Sequence, residues 1–194
     1  MAYATLSELR AYLKLGTSET GDDTLLTDLL TRAQAYIDSP QCCNRTFEAS
    51  ADTTRYFDAT RAVDGLTLRL DTDLATTPTT VTNGDGTTIA STYYVLEPRN
   101  ITPYFQIRLK ATSGLVWSYG DDPDNPISVT GKFAYSTTAP TAIKQATLVL
   151  AAWFYRQRGA NADVDRSVMT DGMVIMPTSL PKVFWDLVGG YKRR

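Results

Sequence analysis

Apolar positions recur at helical spacing in two stretches near the start of the chain. Leu6, Leu9, Tyr12 and Leu13 share a face behind Thr5 and Glu8, the pair that closes a capping box, and the pattern stops at Gly16. Leu26, Leu30, Ala33 and Ile37 form a second stripe, widened by Leu25, Leu29 and Tyr36. Asp22 or Asp23 is placed to cap its start, and Pro40 closes it. The short connection predicts an antiparallel helix pair. From about residue 52 to 135 the period changes to that of strands. Thr53–Asp58, Leu66–Leu70, Thr79–Thr82, Thr87–Ala90, Tyr93–Leu96, Phe105–Lys110 and Ile127–Tyr135 are short runs rich in Thr, Tyr, Val and Ile, separated by turn residues. Asn83-Gly84-Asp85-Gly86 supplies the positive-φ residues of a tight hairpin.

Helical spacing returns from Pro140 to Arg158, with proline pre-setting the first turn. Ile143, Ala146, Thr147, Leu150, Ala151 and Phe154 form one face, and Leu148, Val149, Trp153 and Tyr155 leave little of the other face polar. A helix apolar nearly all round needs cover on several sides, from its own chain or from a neighbouring subunit. Residues 159–194 read as an arm. A polar stretch leads to the apolar run Met173-Val174-Ile175-Met176, and a short helix follows with Val183, Phe184, Leu187 and Val188 on one side. Large apolar groups there seek a partner surface or fold back on their own domain; the pattern leaves both open. The fold class predicted is α+β. Residues 1–50 and 136–158 form a helical core with an antiparallel helix pair and a long later helix, 51–135 an inserted small antiparallel β domain, and 159–194 a C-terminal arm ending in a short helix.

The 194 residues include no histidine and two cysteines. Histidine-based nucleophile pairs and His-ligated metal centres are therefore excluded. Cys42 and Cys43 are adjacent, so they neither staple distant segments nor supply spaced zinc ligands; reduced packing thiols are expected, with a strained vicinal disulfide as the alternative. Hydrophobic residues are 43%, charged residues 21% and net charge −2, the balance of a soluble globular chain. No signal peptide is recognised at the start, and the apolar run Ala146–Tyr155 is too short to span a bilayer. Residues 1–99 carry 8 basic and 14 acidic residues, whereas 100–194 carry 11 and 7. An acidic front half argues against a protein that grips nucleic acid over its whole surface.

Three clusters invite a chemical reading. Gly120-Asp121-Asp122-Pro123-Asp124-Asn125-Pro126 is dense in carboxylates but lacks the order of a calcium loop, and a solvated, proline-braced loop is the stronger reading. Glu97 with Asp121 would suit a carboxylate-only hydrolase, although nothing in the sequence places the two together. Tyr93, Tyr94, Tyr104, Trp117 and Tyr119 would suit a carbohydrate-binding or adhesin face; aromatics at strand spacing are more often core. No catalytic, cofactor or metal constellation emerges, and the chain is not expected to be an enzyme.

The opening Thr5-Leu-Ser-Glu-Leu-Arg-Ala-Tyr-Leu13, the stretch Asp23 to Ile37 and Arg45-Thr-Phe47 resemble the start of long-tailed-phage head–tail connector (adaptor) proteins. Ile127-Ser-Val-Thr-Gly-Lys-Phe-Ala-Tyr135 and the following helix to Arg158 resemble that family's final strand and closing helix, except that a glycine is expected where Ala134-Tyr135 stands. The resemblance covers residues 5–158. It implies a virion neck protein assembled in the host cytoplasm. Such a protein forms a twelvefold ring beneath the portal that extends the DNA channel and offers an attachment surface to a stopper or tail-completion protein. The partners implied are the portal, neighbouring copies and double-stranded DNA passing without sequence-specific contact. No membrane and no cofactor are implied. Under that reading Met173, Val174, Ile175, Met176, Phe184, Trp185, Leu187 and Tyr191 are portal-docking candidates. Leu148, Val149, Trp153, Tyr155 and Tyr36 are inter-subunit candidates.

Overall fold

In a computed structural model of the chain, the residues described are 3–16, 20–157, 168–170, 173–175 and 180–193. The fold is α+β, with helices at the N-terminus, a long later helix, a short C-terminal helix and antiparallel sheets. The chain divides into two compact units, one of residues Met1–Asn44 with Pro140–Arg194, the other of Arg45–Ala139. The expected boundaries lay a few residues inside these joins. Segments 45–49 and 135–139 belong to the second unit because they pair with each other. Tyr135 N donates to Thr46 O at 2.8 Å, Ala49 N to Ser136 O at 3.2 Å, and Ser136 Oγ to Phe47 O at 3.0 Å.

The first unit contains α1 (Leu6–Leu13), α2 (Asp23–Asp38), α3 (Thr141–Gln157) and α4 (Lys182–Val188). The capping box forms as its sequence predicts. Glu8 N donates to Thr5 Oγ1 at 3.2 Å, and Thr5 N donates to Glu8 Oε2 at 2.8 Å. The start of α2 is held differently. Asp22 occupies the N-cap but makes no side-chain capping bond; its carboxylate accepts from the Tyr155 hydroxyl at 2.7 Å, while Asp23 pairs with Arg10 at 2.5 Å. The two aspartates thus tie α2 to α3 and to α1. Leu9, Leu26, Leu30, Ala33, Ile37, Ile143 and Leu150 are buried along these helices. Cys42 and Cys43 are buried, with sulfur atoms 3.7 Å apart, placed where the chain turns out of α2 and Cys43 N donates to Ile37 O at 3.0 Å.

The second unit holds two antiparallel sheets. One has the order β1 (Thr53–Phe57), β7 (Ile127–Gly131), β4 (Thr80–Thr82). The other runs β2 (Val63–Asp64), β3 (Thr67–Leu74), β6 (Tyr104–Leu109), β5 (Tyr94–Glu97). Phe57, Val81, Ile127 and Val129 of the first and Leu68, Leu70, Ile107 and Leu109 of the second meet in one core. Two expectations are corrected. Residues 87–90 make a single bridge, Thr82↔Thr88, rather than a strand, and the run from Ile127 leaves its sheet at Gly131 rather than Tyr135. β3 runs on to Leu74 with a register irregularity after Arg69; the alternating acids Asp71 and Asp73 mask that extension in the sequence.

The turn 83–86 forms with Gly86 at φ 84° and Asn83 N donating to Thr87 O at 2.8 Å. Gly84 serves another purpose. A Cβ there would lie 2.7 Å from Asn125 O, Ser118 O and Tyr119 Cα, so only glycine admits the backbone of the 118–125 loop. Gly84 N donates to Ser118 O at 2.9 Å. The buried Asn83 side chain completes the clamp, donating to Val116 O at 3.0 Å and accepting from Ser118 N at 2.9 Å. β8 (Val168–Thr170) pairs antiparallel with β9 (Met173–Ile175).

Candidate assembly surfaces

The apolar circumference of α3 is covered largely by its own unit: α1, α2 and α4 all pack against it. Among the inter-subunit candidates, Leu148 and Val149 are buried, and Trp153, Tyr155 and Tyr36 are half-buried. Each aromatic has an internal partner. Tyr155 reaches Asp22, Trp153 meets Phe154 with ring centroids 5.5 Å apart, and Tyr36 meets Phe184 at 6.1 Å. Arg32 sits 5.0 Å from the centroid of the Phe154 ring, covering that side of the helix with charge.

The docking candidates divide in the same way. Phe184 is 0% exposed and belongs to the core of the helical unit, whereas its neighbour Val183 is 52% exposed. Trp185, Leu187 and Tyr191 are half-buried, and Lys192 Nζ lies 5.2 Å from the centroid of the Trp185 ring. Arg193 N donates to Cys43 O at 2.9 Å, which fastens the end of the chain to the turn after α2. Met173, Val174 and Ile175 form β9; Met176 lies outside the described residues. The electrostatics around this fastening are unusual. Burial pushes the Asp38 carboxyl up to about 6, against the hydrogen bond donated by Tyr3 at 2.6 Å. Cys42 is drawn down by the Cys43 thiol, with Lys192 helping and burial opposing.

The chemical candidates of the β unit do not converge. Trp117 and Tyr94 are core residues, with Trp117 Nε1 donating to Leu66 O at 2.9 Å; Tyr93 and Tyr119 are exposed, and Tyr104 is half-buried. Glu97 accepts from Arg108 Nε at 2.8 Å across β5 and β6, so its charge is answered within the sheet. In the acidic loop Asp122 turns its carboxylate onto Asp124 N at 3.0 Å, a turn-bracing bond. Among the described residues no group of three or more Cys, Asp or Glu is placed to hold a metal ion. No helix among them is long and apolar enough to cross a membrane. A feature with no sequence signal is an open depression of about 410 Å³ along β5, lined by Thr77, Ser91, Tyr94, Arg99, Asn100 and Tyr104 among others. Its walls come from segments that only the sheet topology brings together.

With this architecture in hand, solved structures give a direct comparison. No protein-family model matches the chain, and no curated protein matches it. The fold is that of chains in gene transfer agent particles. One belongs to the neck of an empty gene transfer agent particle computed with C6 symmetry: TM-score 0.58 and 18% identity, covering 98% of this chain and 89% of that one. A second comes from the neck of the native particle computed with C12 symmetry, with TM-score 0.55 and 18% identity over 96% of this chain and 87% of that one. A third comes from the virion of the native particle, with TM-score 0.55 and 20% identity over 98% and 89%.

Proposed function

We propose that the protein is a structural component of a virion neck, a head–tail connector that forms a ring beneath the portal, extends the DNA channel and presents the attachment surface for the next neck or tail protein. The observation that carries this reading is the shared fold over nearly the whole chain with a protein in a neck computed with C12 symmetry. The sequence resemblance to head–tail connectors supports it independently. A ring needs two different complementary patches on each subunit, a heterologous interface that closes. The half-buried aromatics Tyr36, Trp153 and Tyr155 are proposed to lie at such contacts, with Leu148 and Val149 beneath them supporting the surface. Val183, Trp185, Leu187 and Tyr191 are proposed as the portal-facing surface with the 173–176 segment; Phe184 holds α4 in place. DNA passes a front half rich in carboxylates without tight phosphate binding. No catalytic role is assigned.

Negative-stain microscopy of the protein, alone and mixed with its portal, tests the reading. Rings with a central hole, alone or stacked on the portal, are expected. Free particles that neither close into rings nor co-sediment with portal would overturn it.

A further inference from the structure

Charges in the β unit sort into two kinds. On the sheets they are answered locally, Arg55 by Asp71 at 3.3 Å, Arg69 by Asp64 at 2.8 Å and Arg108 by Glu97 at 2.8 Å, and in the turn after β1 Arg61 is answered by Asp58 at 3.5 Å. Others are not, among them the charges at two separate places. The hairpin tip carries Asp85, and the loop clamped against it carries Asp121, Asp122 and Asp124; none forms an ion pair among the described residues, and residues 111–131 contain no Lys or Arg. Arg99, in the lining of the β5 depression, likewise has no ion pair among the described residues.

Topology sets these two places apart. Thr77 and Ser91 both line the depression, and the chain between them runs out through β4 to the tip at 83–86 and back. The lining of the depression shares no residue with the tip or with the 116–125 loop clamped to it, so the two are distinct surfaces of the unit. Their surfaces also match in character. Beside its carboxylates the tip exposes Val116 at 63% and Tyr119 at 40%, while the depression offers Tyr104 and a permanently charged guanidinium suited to carboxylate recognition.

We propose that the acidic tip of one copy docks into the Arg99 depression of the next copy. Two different surfaces of one unit then meet head to tail, as a heterologous ring contact requires. The proposal rests on the ring reading above and names a contact that the reading leaves open.

Sedimentation velocity of the full chain over a concentration series tests it, with three variants: Arg99→Glu, Asp121→Lys/Asp124→Lys, and the three changes together. These side chains make no hydrogen bond or ion pair among the described residues, so melting temperatures should match wild type; if Arg99→Glu melts early, Arg99→Gln replaces it with a smaller effect in the same direction. The first two variants each place like charges in the contact, and self-association should weaken at least about tenfold. Mixed in equal amounts they should recover, because each tip then faces an opposite charge, and the triple variant should recover alone. Unchanged association of the first two variants, a mixture that stays dissociated, or a wild-type chain monomeric up to its solubility limit would each overturn the contact. The two readings fail separately. Wild-type rings that persist in Arg99→Glu discard this contact and keep the neck role. Oligomers broken by Arg99→Glu that show no central hole keep the contact and discard the ring.

Discussion

In the helical unit, one long apolar helix is enclosed by three others, and most of what holds it lies at i, i+3 and i+4 spacing along each segment. In the β unit, two sheets share a core, but their hairpin tip is fixed by bonds to backbone more than thirty positions away, from Gly84 N to Ser118 O and from the Asn83 side chain to Val116 O and Ser118 N. The difference shows where each unit is vulnerable. A helix docked through side chains loses stability in proportion to the apolar volume removed. A loop pressed against backbone at Gly84 fails when an atom is added. Substitutions of opposite kind should therefore find the weak point of each unit.

The largest effect is expected from Phe184→Ala. The ring is fully buried against Tyr36 and Trp185, and α4 is too short to persist without its docking. Truncation should destabilise the helical unit by about 3–5 kcal/mol and release α4 from protection in amide exchange, with the β-unit amides unchanged. Equal loss of protection in the β sheets would show that the two units unfold together.

The converse test adds one methyl group. Gly84→Ala drives a Cβ into backbone atoms at 2.7 Å, where no side chain can turn aside, and should cost about 1–3 kcal/mol. Gly189→Ala, at helical φ −58° and ψ −35° with nothing within 4 Å, should be neutral or slightly stabilising. Chemical denaturation of the pair measures the contrast. Equal effects would mean that the 118–125 loop moves away freely and that the tip is not a rigid surface.

The two units also differ in how far the sequence discloses them. Burial on α1 and α2 follows periodicity, so Leu9, Leu26 and Ile37 are recognisable as core from spacing alone, whereas on α3 every residue from Ala146 to Ala152 is buried. The cover over α3 is not recognisable, because it depends on whether α4 packs against its own unit, and Phe184 reads equally well as an anchor for a partner. In the β unit the turn at 83–86 is legible as local chemistry. The need for glycine at 84, the extension of β3 through Asp71 and Asp73, and the depression at Arg99 are not, since each depends on which segments become neighbours in space. The order of helices and strands is legible in the sequence; the surfaces on which the proposed assembly depends are not.

The smallest predicted effect separates the ways the two units treat an acid. On the sheets of the β unit Asp64, Asp71 and Glu97 face guanidinium groups, whereas Asp38 of the helical unit is approached by the Tyr3 hydroxyl and by Gln34. Burial is the largest influence on Asp38 and raises its pKa to about 6, above the value near 4 of an unfolded carboxyl. Between those values the folded chain holds the proton more tightly than the unfolded one. The stability this group contributes is therefore complete below about pH 4 and is lost as pH rises through 6. Asp38→Asn fixes the neutral form. It should melt above wild type at pH 7–8 by an amount worth about 1 kcal/mol, discounted because the group keeps some contact with water, and the gap should close by pH 4. Thermal melts of the two proteins across this range decide it. A gap independent of pH would mean that Asp38 ionises freely where it stands, and that the helical unit, like the β-unit sheets, does not hold a strained charge.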